Sequence, residues 1–352
     1  MDAKRSSVPG PPVSAKLLAW YDAHRRDLPW RAPAGEAADP YGVWLSEVML
    51  QQTTVAAVRP RFEAWTRRWP TFEALASADE ADVMAAWAGL GYYARARNLV
   101  AAARAVVADH GGAFPRTEAE LRRLPGLGAY TAAAIAAIAF GERAVVVDAN
   151  VERVVARLFA IGEPLPGARP AIRAAADTIT PHARAGDFAQ GMMDLGSAIC
   201  TVRAPRCLLC PVRDGCAGFA TGDPQAFPVK PRRKARPQRY GTIFWLEQDG
   251  AVLLVRRPAK GLLGGMRALP TGPWSGVPTG LDAAPAQAEW RMLDAQVRHG
   301  FTHFDLHLAL AAARVEGHHA GDGEWWPVDA LAAAGLPTLF AKAAERIAKE
   351  RK

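Results

Sequence analysis

No stretch of this chain is apolar for long enough to cross a membrane; the most apolar run, Thr131–Phe140, is short and rich in alanine. The opening residues, Met1–Val13, are polar and proline-rich and lack the apolar core of a secretory signal, so a cytoplasmic protein is expected. Cysteine is scarce: the chain has four, all between Cys200 and Cys216. A disulfide-stabilised secreted scaffold would spread its cysteines, whereas a metal centre clusters them. No internal repeat is visible, and strand-like alternation is almost missing before residue 220.

What is present is a 352-residue chain, 50% apolar and 22% charged, the profile of a globular protein long enough for two domains. Its formal net charge of +8 favours an anionic partner, of which nucleic acid is the commonest. Up to about residue 220, Ala, Leu, Val and Arg recur at helical spacing and are interrupted at Pro29, Pro70, Gly111, Pro125, Gly141 and Pro181. Residues 1–226 therefore read as an all-α domain. Residues 227–239, FPVKPRRKARPQR, combine proline with positive charge and read as a linker. Residues 240–352 read as α+β. Two apolar runs flank Gln248-Asp249-Gly250 as a β-hairpin, Leu306–Ala313 forms a further strand, and Thr338–Lys349 a closing amphipathic helix.

The cysteines are spaced Cys200-x6-Cys207-x2-Cys210-x5-Cys216. Four thiolates can hold either a tetrahedral zinc or a [4Fe–4S] cluster, and a single close pair flanked by lone cysteines is unlike a zinc ribbon. Arg203, Arg206 and Arg213 lie in or beside this loop. Upstream, Leu124-Pro-Gly-Leu-Gly-Ala-Tyr-Thr-Ala132 separates two helices. Gly126 and Gly128 permit a turn that offers backbone N–H groups to a phosphate. An ordinary corner between helices would read the same.

Two carboxylates stand out. Glu47 lies in a helical segment, Tyr41–Thr53, with Gln51 and Thr54 at i+4 and i+7 on one face. By pattern alone this is a polar stripe. Asp148 follows Val145-Val-Val147 and precedes a helix, where pattern alone favours an N-cap.

The cysteine loop and the Leu124–Ala132 hairpin resemble the endonuclease III superfamily of DNA glycosylases, and further segments resemble its MutY-type adenine glycosylases. The resemblance covers nearly the whole chain, densest between Trp20 and Cys216. It implies a helix-hairpin-helix domain with a [4Fe–4S] cluster on Cys200, Cys207, Cys210 and Cys216, followed by a C-terminal α+β Nudix-like domain. Glu47 would protonate adenine and Asp148 would stabilise an oxocarbenium-like sugar, the help that breaking an N-glycosidic bond requires. Tyr130 and Asn150 would orient them. Bifunctional members carry a lysine at the position of Tyr130; a phenol cannot form a Schiff base, so removal of the base without strand cleavage is expected.

The same resemblance places Trp30 and Arg31 at the adenine pocket and Gln51, Gln52 and Thr53 at the flipped nucleotide. Leu90, Gly91 and Tyr92 would meet the opposite strand, Gly126 and Gly128 the phosphates, and Phe301, Thr302 and His303 the lesion. Thr302 replaces a serine and keeps its hydroxyl, and Leu263 stands where relatives often carry tryptophan. The implied partner is double-stranded DNA with adenine opposite 8-oxoguanine or guanine, bound by a monomer in the cytoplasm at the nucleoid. No Nudix-hydrolase signature is present, so no pyrophosphatase activity is expected. An endonuclease III-like glycosylase/lyase for oxidised pyrimidines is opposed by Tyr130 and the second domain. A non-catalytic iron–sulfur DNA-binding protein is opposed by retention of both carboxylates.

Overall fold

The computed structural model describes residues 12–33, 35–231, 235–258, 261–301, 303–316 and 323–350. They form two compact units, one of residues 12–79 and 97–231, the other of residues 80–96 and 235–350.

In chain order the helices are α1 (Val13–His24), α2 (Pro40–Met49), α3 (Val55–Arg68), α4 (Phe72–Ala76), α5 (Glu80–Ala86) and α6 (Ala94–His110). There follow α7 (Glu118–Leu121), α8 (Ala129–Phe140), α9 (Ala149–Leu158), α10 (Arg169–Ile179), α11 (Ala185–Ala198) and α12 (Ala217–Ala220). Side-chain caps fix several starts. Asp39 accepts from the amides of Tyr41 and Gly42 at 3.1 and 2.8 Å to begin α2. Thr117 and Glu120 form a capping box at α7: the Thr117 hydroxyl accepts from the Glu120 amide at 3.3 Å and donates to its carboxylate at 2.7 Å.

Helix α8 is largely alanine, and Thr131–Ala137 are all buried. Side chains this small let neighbouring helices approach closely, and α2 and α11 both pack on it. Helix α11 also packs on α1 and α9. A core of Leu17, Val151, Val155, Ile172, Met192 and Leu195 fills the space among them. This arrangement brings one end of α2, the start of α8 and the start of α9 to a common cleft.

The second unit is built on a sheet of β1 (Gln238–Gln248), β2 (Ala251–Arg256), β3 (Arg267–Ala268), β4 (Arg291–Gly300), β5 (Asp305–Arg314) and β6 (Glu324–Pro327). Its order is β3-β2-β1-β5-β4, with β6 paired to β2. The expected hairpin is present: β1 and β2 pair through Glu247 with Val252 and Gln248 with Ala251. Asp249 and Gly250 at its tip have φ of 47° and 76°, which suits the twist of an antiparallel pair and is costly for most residues other than Gly, Asn and Asp. Strand β5 runs parallel to β1 along its whole length, from Gln238 opposite Asp305 to Glu247 opposite Arg314. Helix α13 (Thr338–Glu350) covers one face over a core of Ile243, Trp245, Leu308, Leu310, Phe340 and Ile347. The opposite face buries Leu246, Leu253 and Ala313 beside Trp290.

The segment 227–239 is not a free tether throughout. The Phe227 carbonyl accepts from Arg157 Nε at 3.1 Å and the Val229 carbonyl from the Leu165 amide at 2.9 Å, while β1 already begins at Gln238.

Candidate active site and cysteine centre

Glu47 sits in the last turns of α2 and is buried. The hydroxyl of Tyr130, in the first turn of α8, donates a short hydrogen bond to its Oε2. Burial pushes the Glu47 carboxyl up to about 7; the Tyr130 hydrogen bond opposes this, the Asp148 charge adds to it, and the Arg31 charge opposes it. Burial also raises the Tyr130 phenol, so it stays a donor.

Asp148 takes the capping position that its sequence pattern suggests. It caps α9, Oδ1 accepting from the Val151 amide at 2.7 Å, and its Oδ2 accepts from Asn150 Nδ2 at 2.9 Å. Burial raises its pKa, against the hydrogen bonds from Val151 and Asn150. Asn150 is held in turn, its Oδ1 accepting from Arg153 Nη2 at 3.0 Å. Glu47, Tyr130, Asp148 and Asn150 line one open cleft of about 740 Å³, together with Gln51, Gln52 and Thr53.

Glu47 also forms part of a smaller, more closed pocket with Leu28, Trp30, Arg31, Val43 and Ile138. It therefore stands on the wall common to the cleft and the pocket. Trp30 is fixed edge-on against Phe62, with ring centres 5.3 Å apart. Arg31 makes two bonds to Asp194 of α11, Nη1 to Oδ2 at 2.6 Å and Nη2 to Oδ1 at 2.9 Å, and Arg26 Nε adds a third at 2.6 Å.

The helical face expected for Glu47, Gln51 and Thr54 is not formed. Helix α2 stops at Met49, Gln52 takes φ of 57°, and Thr54 is the N-cap of α3. Gln51 instead crosses to α8, where its Nε2 lies 3.2 Å from the Thr131 hydroxyl. In the hairpin, Gly126 has φ of 75°, and a Cβ there would lie 2.5 Å from Asn98 Cβ, so no other residue fits. Gly128 is the N-cap of α8 and offers no side chain to its first amides.

Leu90, Gly91 and Tyr92 belong to the second unit. Tyr92 is half exposed with φ of 48°, whereas Leu90 is buried and its carbonyl accepts from Arg95 at 2.7 Å. Phe301 lies on Phe304, with ring centres 4.9 Å apart, and His303 is exposed. Thr302 lies outside the described residues.

All four cysteines are free and line one cavity with Arg157, Ile199, Phe219 and Pro224. Burial raises the thiols of Cys207, Cys210 and Cys216, Cys210 to about 11. Thiols so disfavoured as bare anions need a cationic group among them to ionise. Among the described residues no group of three or more His, Cys, Asp or Glu side chains is already arranged to hold a metal ion. The four thiols around a common cavity are a donor set for a metal centre. Arg153 and Arg157 of α9 brace the loop: Arg153 Nε donates to the Cys200 carbonyl at 2.8 Å and Arg157 Nη1 to the Thr201 carbonyl at 2.7 Å.

Comparison with known proteins agrees with both halves. Residues 45–176 match the HhH-GPD superfamily of base excision DNA repair proteins, and residues 242–346 match the NUDIX domain. The human adenine DNA glycosylase is 40% identical over 310 residues, spanning 73% of this chain and 57% of that one. The adenine DNA glycosylase of Mycobacterium tuberculosis (strain CDC 1551 / Oshkosh) is 44% identical over 223 residues, 62% of this chain and 72% of its own. The chain belongs to the adenine DNA glycosylase family. It spans little more than half the length of the human relative, 57%. The solved structure of a thermostable thymine-DNA glycosylase shares the fold of the helical part, with a TM-score of 0.54 and 31% identity over 59% of this chain and 95% of that one.

For a member of this family, two residues were missed by the sequence reading: Arg26, which lines the pocket and the cleft, and Asp194, which holds Arg31 and Arg26 from behind. A signal existed for the second: an aspartate between Met192 and Leu195, on the face of α11 that turned out to be core. Among the described residues no helix is long and apolar enough to cross a membrane.

Proposed function

We propose that the protein hydrolyses the N-glycosidic bond of adenine in double-stranded DNA, where adenine stands opposite 8-oxoguanine or guanine. The observation that carries this reading is the position of Glu47, on the wall common to a small pocket lined by Trp30 and Arg31 and an open cleft that holds Asp148. A flipped adenine in the pocket leaves its sugar in the cleft. Protonated Glu47 delivers a proton to N7, so that the base departs neutral. The ionised Asp148 carboxylate then stabilises the positive charge left on the sugar until water adds. Asn150 and the Val151 amide keep that carboxylate aimed, and Tyr130 keeps Glu47 fixed. Arg31, held by Asp194, supplies a polar edge to the base. With a phenol at Tyr130 no amine attacks the sugar from that position, and the strand stays intact.

Duplexes with adenine opposite 8-oxoguanine, guanine or thymine separate this reading from others. Alkali-dependent cleavage at adenine opposite 8-oxoguanine is expected, with A:T spared. Cleavage without alkali, or a borohydride-trapped adduct, would indicate a lyase instead.

Cys200, Cys207, Cys210 and Cys216 would hold a [4Fe–4S] cluster, which supplies charge and shape to the loop that carries Arg203, Arg206 and Arg213. Purified protein is expected to contain about four irons per chain and to absorb in the visible. Stoichiometric zinc with no iron would refute the cluster.

A further inference from the structure

Beyond the catalytic pair, the cleft wall continues onto α10. Three arginines line it, Arg26, Arg169 and Arg173. A cleft that also contains Glu47, Asp148 and Glu152 would repel a polyanion unless some of this positive charge is available to it. Two of the arginines are committed within the protein. Arg26 Nε bonds Asp194 at 2.6 Å. Arg173 Nη1 donates to the Val145 carbonyl at 2.9 Å, and its Nη2 lies 3.6 Å from the Glu118 carboxylate.

Arg169 is used differently. Its Nε donates to Glu152 Oε2 at 3.0 Å, and among the described residues nothing bonds its two Nη groups. The Glu152 side chain is 16% exposed and that of Arg169 66%. A sheltered carboxylate in the first turn of α9 thus anchors the inner edge of the guanidinium and leaves the outer edge open. That is the arrangement suited to two parallel hydrogen bonds to a phosphate, with the orientation fixed before the ligand arrives.

We propose that Arg169 is a phosphate ligand for the DNA strand whose base is removed, with Glu152 as its positioning residue. The proposal rests on the glycosylase reading, since Asp148, where the sugar would sit, lines the same cleft. A backbone contact there carries no sequence information; it sets the register of the strand.

The test uses the full chain and a duplex with 2′-fluoro-2′-deoxyadenosine opposite 8-oxoguanine, in which the fluorine suppresses positive charge on the sugar and hence cleavage. Dissociation constants are measured across a series of KCl concentrations. Arg169→Gln is expected to weaken binding several-fold at low salt and to reduce the slope of log K against log salt by about 0.9, one phosphate contact. Arg169→Lys keeps the charge and should keep the slope while binding less tightly. Lys349→Gln, which removes a charge from the exposed end of α13, should leave the slope at its wild-type value. A wild-type slope for Arg169→Gln, or an equal loss for Lys349→Gln, overturns the proposal. The glycosylase reading is judged separately, by alkali-labile cleavage of the unfluorinated duplex.

Discussion

With Glu47→Gln, adenine release in a single turnover is expected to slow by about 10²–10⁴-fold, the usual contribution of a general acid. The pH dependence gives a sharper check. Glu47 acts as an acid only while protonated, and burial holds its carboxyl at about 7, so the wild-type rate should fall as pH rises through that value. Asp148 acts only while ionised, and burial raises it as well, so the rate should also fall on the acid side, above the ordinary aspartate range. The glutamine variant should lose the alkaline limb and keep the acid one. A variant that retains the wild-type rate and both limbs would show that another group donates the proton.

Asp194→Ala is expected to destabilise the first unit by about 3–5 kcal/mol, because it leaves a buried charge without its partner. The Arg31 side chain is 6% exposed and both of its outer nitrogens end on this one carboxylate. Arg26, 37% exposed, can turn to water; Arg31 cannot. The measurement is the urea midpoint followed by a signal confined to the helical unit, with the slope of the transition unchanged. A loss below about 1 kcal/mol would mean that the site relaxes to solvate Arg31. Asp194→Asn, which keeps the size and one acceptor, should fall between the two.

The features legible in the sequence are those whose cause is local. Asp249-Gly250 announces its hairpin because few other residues accept positive φ, and Asp148 announces a helix start because its side chain reaches only to Val151. Strand β4 was not foreseen. Its inward face keeps the two-residue period through Leu293, Ala295, Val297 and His299, but only Leu293 and Val297 are large and apolar, too few to mark a strand by pattern. It is also an edge strand, with Arg291, Asp294, Gln296 and Arg298 exposed.

In the site, Glu47 reads as a solvated stripe by pattern, and only resemblance singles it out. What buries it is α8, whose Tyr130 lies 83 residues further along the chain. Asp194 is hidden for the same reason, since its meaning comes from Arg31, 163 residues away. Gln51 and Thr54 were read as a continuation of α2 because helical spacing cannot show where a helix stops. Thr54 ends that ambiguity by capping the next helix.

The parallel pairing of β1 with β5 bears on how the molecule reaches its native state. The helical unit is closed largely by contacts between helices, a topology that forms quickly. Strand β1, almost wholly apolar from Gly241 to Leu246, has its long neighbour at Asp305–Arg314, after β2, β3 and β4. On a ribosome it emerges with one edge paired to β2 and the other waiting until β5 has been made. That waiting edge is the part of the chain most open to mispairing, so truncations or slow synthesis between β2 and β5 should favour aggregation, while the helical half folds unaffected.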